Sequence, residues 1–375
     1  MRLVVLAVAS EAFPLVKTGG LADVVGALPR ALAPHQVDVL TLLPGYPAVL
    51  DRLERAEEVA AFDDLPGGPA RLLRGTAAGL DLAVLEAPQH FARPGNPYLG
   101  PDGSDWPDNG LRFAALGAAA ARLALRLGVA AVHAHDWQAG LVPAYLRYAA
   151  GRRIPTLFTV HNLAFQGWFP PGLFPALGLP DAAFSVAGLE FHGGVGFLKA
   201  GLWFADRLST VSPTYAEEIT TPEGGMGLDG LLRGRSGDLV GIRNGIDTEE
   251  WNPATDPNLA ARFTADDPSG RAANRSAMQA AFGLAPSAEA TLFAFVGRLT
   301  WQKGIDLVLA AVPDLLAAGA QLALLGSGEA SLAEACRAAA AAHPGRIGAQ
   351  LGYDEALARL VYGGADAILV PSRCG

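Results

Sequence analysis

Three groups of residues in this chain could do chemistry on an anionic ligand. Lys17-Thr18-Gly19-Gly20-Leu21-Ala22-Asp23 joins a lysine to two glycines. Glycine lets backbone approach a ligand, N–H groups that open a helix point at an anion, and lysine adds the mobile charge a diphosphate needs. The segment matches neither the dinucleotide nor the P-loop spacing, and a glycine turn beside a solvated lysine is the plain alternative. Gly297-Arg298-Leu299-Thr300-Trp301-Gln302-Lys303-Gly304 sets Arg298 and Lys303 on the flanks of one turn. Two cations so placed can hold a diphosphate leaving group and offset the charge it gains as a sugar bond breaks; surface ion pairing is the alternative. The third group is two histidine segments, His133-Ala134-His135-Asp136-Trp137 and Thr159-Val160-His161-Asn162. Together they read as a sugar pocket, with Trp137 as an apolar face and polar groups for hydroxyls, or as histidines that hold loops by hydrogen bonds.

Lysine is scarce: Lys17, Lys199 and Lys303 are the only ones, against 28 basic residues in all. Two of the three fall in these loops, and Lys199 has no firm role. Gly326-Ser327-Gly328-Glu329 either lines a nucleotide or is a tight turn. Neither histidine segment has a third ligand at metal spacing, and no Gly-x-Ser-x-Gly elbow occurs, so neither a metal site nor a serine hydrolase is expected.

The scaffold that must bring these loops together is legible in the hydropathy pattern. An apolar strand over residues 3–8, a helix over about 21–32 and a strand over 37–43 open the chain as a βαβ unit. Strand-like segments at 80–85, 130–133, 156–160 and 207–211 alternate with helical patterns at 109–127 and 139–148. Near-continuous apolar strands between helices imply parallel sheets covered on both faces. Between Asp247 and Pro286 the pattern breaks, with a helical stretch near 272–282, and alternation resumes from Thr291 to residue 370. The fold class expected is α/β, with two Rossmann-like doubly wound parallel-sheet domains, 1–243 and 244–375. The second is expected to be cut short, because it ends on an apolar strand with no helix to cover it.

Composition narrows the classes further. Hydrophobic residues make up 51% of the 375 positions and charged residues 17%, yet no apolar run reaches the roughly 18 residues of a membrane span. The run Leu3–Ala9 is followed at once by Glu11 and reads as a buried strand, not a leader. A net charge of −9 argues against nucleic acid or an anionic membrane as partner. Two cysteines, Cys336 and Cys374, make no disulfide framework, and a cytoplasmic setting is expected.

Put together, the segments above resemble glycogen and starch synthases. Phe158-Thr159-Val160-His161-Asn162, Gly188-Leu189-Glu190-Phe191, Val211-Ser212-Pro213-Thr214-Tyr215, Asn244-Gly245-Ile246-Asp247 and Gly352-Tyr353 extend the match in order along nearly the whole chain. The resemblance implies a GT-B glycosyltransferase with its active site in the cleft between two Rossmann-like domains. It also implies transfer of glucose from ADP-glucose to the non-reducing end of an α-1,4-glucan, with retained configuration and with no metal or other cofactor. Carried over by position, Lys17, Gly19 and Gly20 would meet the donor diphosphate with Asp23 close by, and Arg298 and Lys303 would grip it. Tyr353 would lie against adenine, Tyr98 near the cleft, and His161, Asp136 and Asn244 about the glucosyl unit.

Members of the family read Ser-Arg-Phe-Glu-Pro-Cys-Gly where this chain reads Ser372-Arg373-Cys374-Gly375, so the glutamate that faces the donor sugar is missing. They also continue for about a hundred residues, so as a whole molecule this chain would be weakly active or inactive. Two further readings share these residues: a UDP-sugar-dependent GT-B transferase, and a non-catalytic protein that binds glucan or nucleotide.

Overall fold

A computed structural model describes residues 2–352 and 354–373. The chain divides into two compact units, residues 1–245 and 246–375. The strands, in chain order, are β1 (Leu3–Val8), β2 (Val37–Pro44), β3 (Glu54–Leu65), β4 (Gly68–Ala77), β5 (Leu80–Glu86), β6 (Ala131–His135), β7 (Thr156–Val160), β8 (Trp168–Phe169), β9 (Glu190–Phe191), β10 (Gly194–Gly196), β11 (Arg207–Thr210) and β12 (Leu239–Gly241). Those of the second unit are β13 (Leu292–Val296), β14 (Gln321–Gly326), β15 (Ile347–Leu351) and β16 (Ala367–Ile368).

In the first unit the main sheet runs β12-β11-β7-β6-β1-β2-β5-β4-β3. Pairing is parallel from β12 to β5. The chain builds outward from β1 through β2 and β5, then returns to lay β6 against the other side of β1. Strand order therefore reverses between β1 and β6, and the loops that leave their carboxyl ends border the crevice where such sheets take ligands. Residues 9–19 and Asp136 begin those two loops.

The strands hold this arrangement because Leu40, Leu42 and Leu43 of β2, Leu82 and Val84 of β5 and Val132 and Ala134 of β6 are almost wholly buried, at about 1.5–3 kcal/mol for each large aliphatic side chain. The helix Asn109–Leu127 is buried nearly all round because its run of alanines and Gly117 lets neighbours close in. A Cβ at Gly117 would stand 3.2 Å from Leu141.

The edge departs from the all-parallel expectation: β3 and β4 form a long antiparallel hairpin on β5. A small sheet, β8-β10-β9, sits apart from the main one. Lys199 is pinned beneath it, donating to the carbonyls of Val186 (2.8 Å) and Glu190, which gives that lysine a structural role.

Among the described residues the second unit has four parallel strands in the order β15-β14-β13-β16. Side chains alternate between two cores: Leu292, Ala294, Ala323 and Leu325 face one, while Phe295, Leu322 and Leu324 face the other. Both faces of the sheet are therefore covered, as in a doubly wound layer. Order reverses here between β13 and β16, so residues 297–304 and 369–373 leave from its switch point. The strand-poor stretch before the helix Arg271–Ala281 is fixed by a buried guanidinium. Arg359 pairs with Asp256 at 3.2 Å and with Glu250, and stacks 4.2 Å over the Trp251 ring.

Candidate active site

In the first unit the loop after β1 is organised by a residue that the sequence reading passed over. Glu11 is 97% buried (3% exposed), and its carboxylate accepts Thr18 Oγ1 at 2.7 Å, Thr18 N–H and the Tyr98 hydroxyl. Ser10 Oγ shares a further bond of 2.8 Å with Tyr98. One carboxylate thus ties the lysine-glycine segment to a tyrosine 87 residues away. Burial first, and then the Glu11 charge, push the Tyr98 hydroxyl well above the ordinary tyrosine range.

Lys17 lies next to this clamp, paired with Asp23 at 3.0 Å and 5.2 Å from the centre of the Phe13 ring. Gly19 has an extended backbone, with φ of −162°. A Cβ at Gly19 or Gly20 would meet nothing within 4 Å. Neither backbone strain nor packing within the protein asks for glycine at these two positions, so the space beside them is open to a ligand. The helix Gly20–Leu32 then begins with no side-chain cap, which leaves its first N–H groups available to an anion.

The loops after β6 and β7 meet at Asp136 and His161. Asp136 has a positive φ of 55°, a strained conformation for a residue with a Cβ. It accepts the His161 N–H at 2.7 Å. Burial, which outweighs the amide donors of His161 and Asn162, lifts its carboxyl to about 7, with the Glu11 charge adding to the lift.

Behind it runs a polar file: His161 Nε2 and His135 Nδ1 share a hydrogen bond of 3.0 Å. His133 Nε2 bonds Thr159 Oγ1 at 2.7 Å, and Thr159 shares 2.6 Å with Ser209 Oγ. Burial lowers His161 to about 4 and His133 to about 3. Trp137 differs from the expected sugar platform: it is buried against Phe113 (5.0 Å, edge-on), Phe169 and Phe197.

His161 carries a pH prediction. Its folded pKa is depressed below the ordinary value of 6.5, so the stability it contributes is present above pH 6.5 and is lost as pH falls towards 4. Asp136, raised to about 7, works the opposite way and loses stability as pH rises through 7. At pH 5 the His161 part amounts to about 2 kcal/mol. Urea unfolding at pH 7.5 and pH 5 should show that much less pH dependence in His161→Asn than in the parent chain; equal dependence would contradict a buried neutral His161.

In the second unit the turn after β13 is built by capping. Thr300 Oγ1 accepts the Lys303 N–H at 3.4 Å, and Gly304, at φ 71°, turns the chain into the helix Ile305–Ala310. A Cβ at Gly304 would lie 2.1 Å from the Pro371 carbonyl oxygen, so only glycine fits both the backbone and that approach. Arg373 staples the turn from the loop after β16, donating to the Trp301 carbonyl at 2.6 Å and to both Asp306 oxygens at 2.8 and 2.6 Å. Arg298 is exposed and Lys303 half-buried on the frame so fixed.

The open choice at Gly326-Ser327-Gly328 resolves towards packing. A Cβ at Gly326 or Gly328 would stand 1.9 or 2.3 Å from the carbonyl oxygens of Gly297 and Leu299.

The structure therefore gathers Lys17, Gly19, Gly20, Asp23, Tyr98, Asp136 and His161 at the switch point of the first sheet, and Arg298 and Lys303 at that of the second. Asn244 is exposed in the stretch after β12, and Tyr353 lies outside the described residues.

Comparison with known proteins fits this geometry. Residues 4–234 match the starch synthase catalytic domain family. A glycogen synthase of Rhodopseudomonas palustris (strain ATCC BAA-98 / CGA009) is 57% identical over all of this chain and 79% of its own length. Glycogen synthase 2 of Bradyrhizobium diazoefficiens is also 57% identical, over 99% of this chain and 78% of its own. Among solved structures, the catalytic domain of starch synthase IV from Arabidopsis thaliana, bound to ADP and acarbose, superposes with a TM-score of 0.89 at 31% identity, covering 100% of this chain and 79% of that one.

Proposed function

This chain belongs to the starch and glycogen synthase family, and from that premise we infer that it moves glucose from ADP-glucose onto the non-reducing end of an α-1,4-glucan. What carries the reading is that each unit sets basic residues at its own sheet's switch point, a clamped lysine-glycine loop in the first and a two-cation turn in the second. The relatives named glycogen synthase and the starch synthase that holds ADP and acarbose support the donor and acceptor classes.

In this reading Arg298 and Lys303 hold the donor diphosphate, and Lys17 with the open backbone at Gly19 and Gly20 approaches it, Asp23 holding Lys17 at 3.0 Å. His161, Asp136 and Asn244 attend the glucosyl unit, with Tyr98 alongside. The bond from the anomeric carbon to the diphosphate breaks, a bond to the acceptor's 4-oxygen forms on the same face, and the acceptor proton passes to a phosphate oxygen. Cations that neutralise the departing diphosphate and groups that fix the sugar account for the rate, so no nucleophile of the protein, metal or other resident cofactor takes part. No helix among the described residues is long and apolar enough to cross a membrane.

The test is incorporation of labelled glucose into glycogen from ADP-glucose and from UDP-glucose, with calorimetric binding of ADP and UDP in parallel. Label from ADP-glucose and the tighter fit of ADP are expected. A clear UDP preference would overturn the donor assignment, and nucleotide binding without any label transfer would overturn the enzymatic reading.

A further inference from the structure

Two imidazoles share one hydrogen bond behind the sugar-side residues, and burial decides which of them owns the proton. His135 is fully buried and His161 is 9% exposed; their Nδ1 and Nε2 atoms stand 3.0 Å apart. The His133 ring packs against His135 at 4.0 Å between centroids, tilted by 36°, which fixes the plane of the inner ring. Burial holds all three neutral near pH 7, and a neutral imidazole carries one N–H and one lone pair.

Two arrangements satisfy the shared bond. In one, His161 donates from Nε2, which forces the His135 proton onto its own Nε2. That atom is buried and has no hydrogen-bond partner, so an N–H would be stranded there. In the other, His135 donates from Nδ1, and its Nε2 is left with only a lone pair. Orphaned buried N–H groups are rarer in proteins than under-satisfied acceptors, so the second arrangement is favoured.

We propose that His135 is a positioning residue that fixes His161 as the Nδ1–H tautomer, so that His161 serves the bound sugar nucleotide as a neutral hydrogen-bond donor. The role for His161 rests on the function inferred above; the tautomer does not. With Nε2 occupied by His135, the remaining group on the His161 ring is an N–H, suited to a hydroxyl oxygen or a phosphate oxygen that gains charge. The alternative tautomer would turn a lone pair on that same oxygen and repel it.

The experiment is long-range proton–nitrogen correlation spectroscopy at pH 7.5 on the chain labelled with nitrogen-15 histidine, with the His135 and His161 signals assigned by their loss in single variants. Wild-type His161 and His135 should both show protonated Nδ1 and bare Nε2, whereas a free imidazole favours Nε2–H. In His135→Asp, whose carboxylate oxygen stands where Nδ1 stood and can only accept, His161 should carry its proton on Nε2 and turnover should fall at least about tenfold. His135→Asn, whose amide nitrogen stands where Nδ1 stood, should keep both the tautomer and most of the turnover.

Protonated Nε2 on His161 in the wild type, or an Nε2 still bare in His135→Asp, would overturn the proposal. If His135→Asp does not fold, the wild-type and His135→Asn spectra still decide it. A correct tautomer combined with full activity in His161→Ala would instead remove the role given to His161 while leaving the tautomer intact.

Discussion

Lys303→Ala should lower turnover by about 10²–10³-fold, the usual effect of deleting one preorganised group that stabilises charge in a transition state. The backbone of its turn is held by the Thr300 cap, the left-handed Gly304 and the Arg373 bridges to Trp301 and Asp306, none of which needs the lysine ammonium. The variant should therefore fold normally. Because a diphosphate gains charge as it departs, the loss should fall more heavily on kcat than on the KM for ADP-glucose. Initial rates with ADP-glucose, ADP calorimetry and a thermal melt separate these effects. Turnover near the parent value, with the melt unchanged, would remove Lys303 from the reaction.

Glu11→Gln should also cut kcat/KM by about 10²-fold, for a different reason. The carboxylate accepts three bonds from Thr18 and Tyr98, and hydrogen bonds to a charged group are worth about 1.5–3 kcal/mol each. A carboxamide keeps one acceptor oxygen and turns an N–H2 group towards a donor, so at least one of the three bonds becomes a repulsion. Removing a buried charge offsets part of the global loss, which directs the damage to the placement of Lys17, Gly19 and Gly20. Kinetics paired with urea unfolding should show a large activity loss for a small change in stability. Activity within about threefold of the parent would show that the loop holds its shape without the clamp.

The sheet strands could be read directly where most of their residues are apolar. Leu3–Val8, Thr156–Val160, Leu292–Val296 and Ile347–Leu351 stand as expected. The β3–β4 hairpin escaped because an edge strand is mostly solvated: Glu54, Glu57, Glu58, Asp63 and Asp64 lie along β3, and such charge on an edge reads as loop although it guards against further pairing. Strands of two or three residues such as β8 and β9 carry no periodicity at all.

At the site, spacing identified loops better than it identified roles. Glu11 has no motif, since its partners are 7 and 87 residues away. The available signal was its position, a carboxylate directly after a buried first strand. Trp137 misled because an aromatic at a strand end is as well suited to the core, where Phe113 and Phe197 receive it, as to a sugar ring. The glycines at 326 and 328 were ambiguous for the same reason: a backbone that must approach something gives no sign whether that is a ligand or the neighbouring loop.

The return of β6 to the flank of β1 has a temporal side. Residues 5–8 pair with residues 131–134, and His161 arrives later still, so the crevice in this unit cannot be complete before His161 has left the ribosome. Contacts so distant in sequence slow folding, and until they form, β1 offers an open apolar edge to other chains. Its early partner is β2, whose parallel pairing with β1 shields one side of that strand during the wait, and the opposite side is where chaperones or aggregation would compete with the native return.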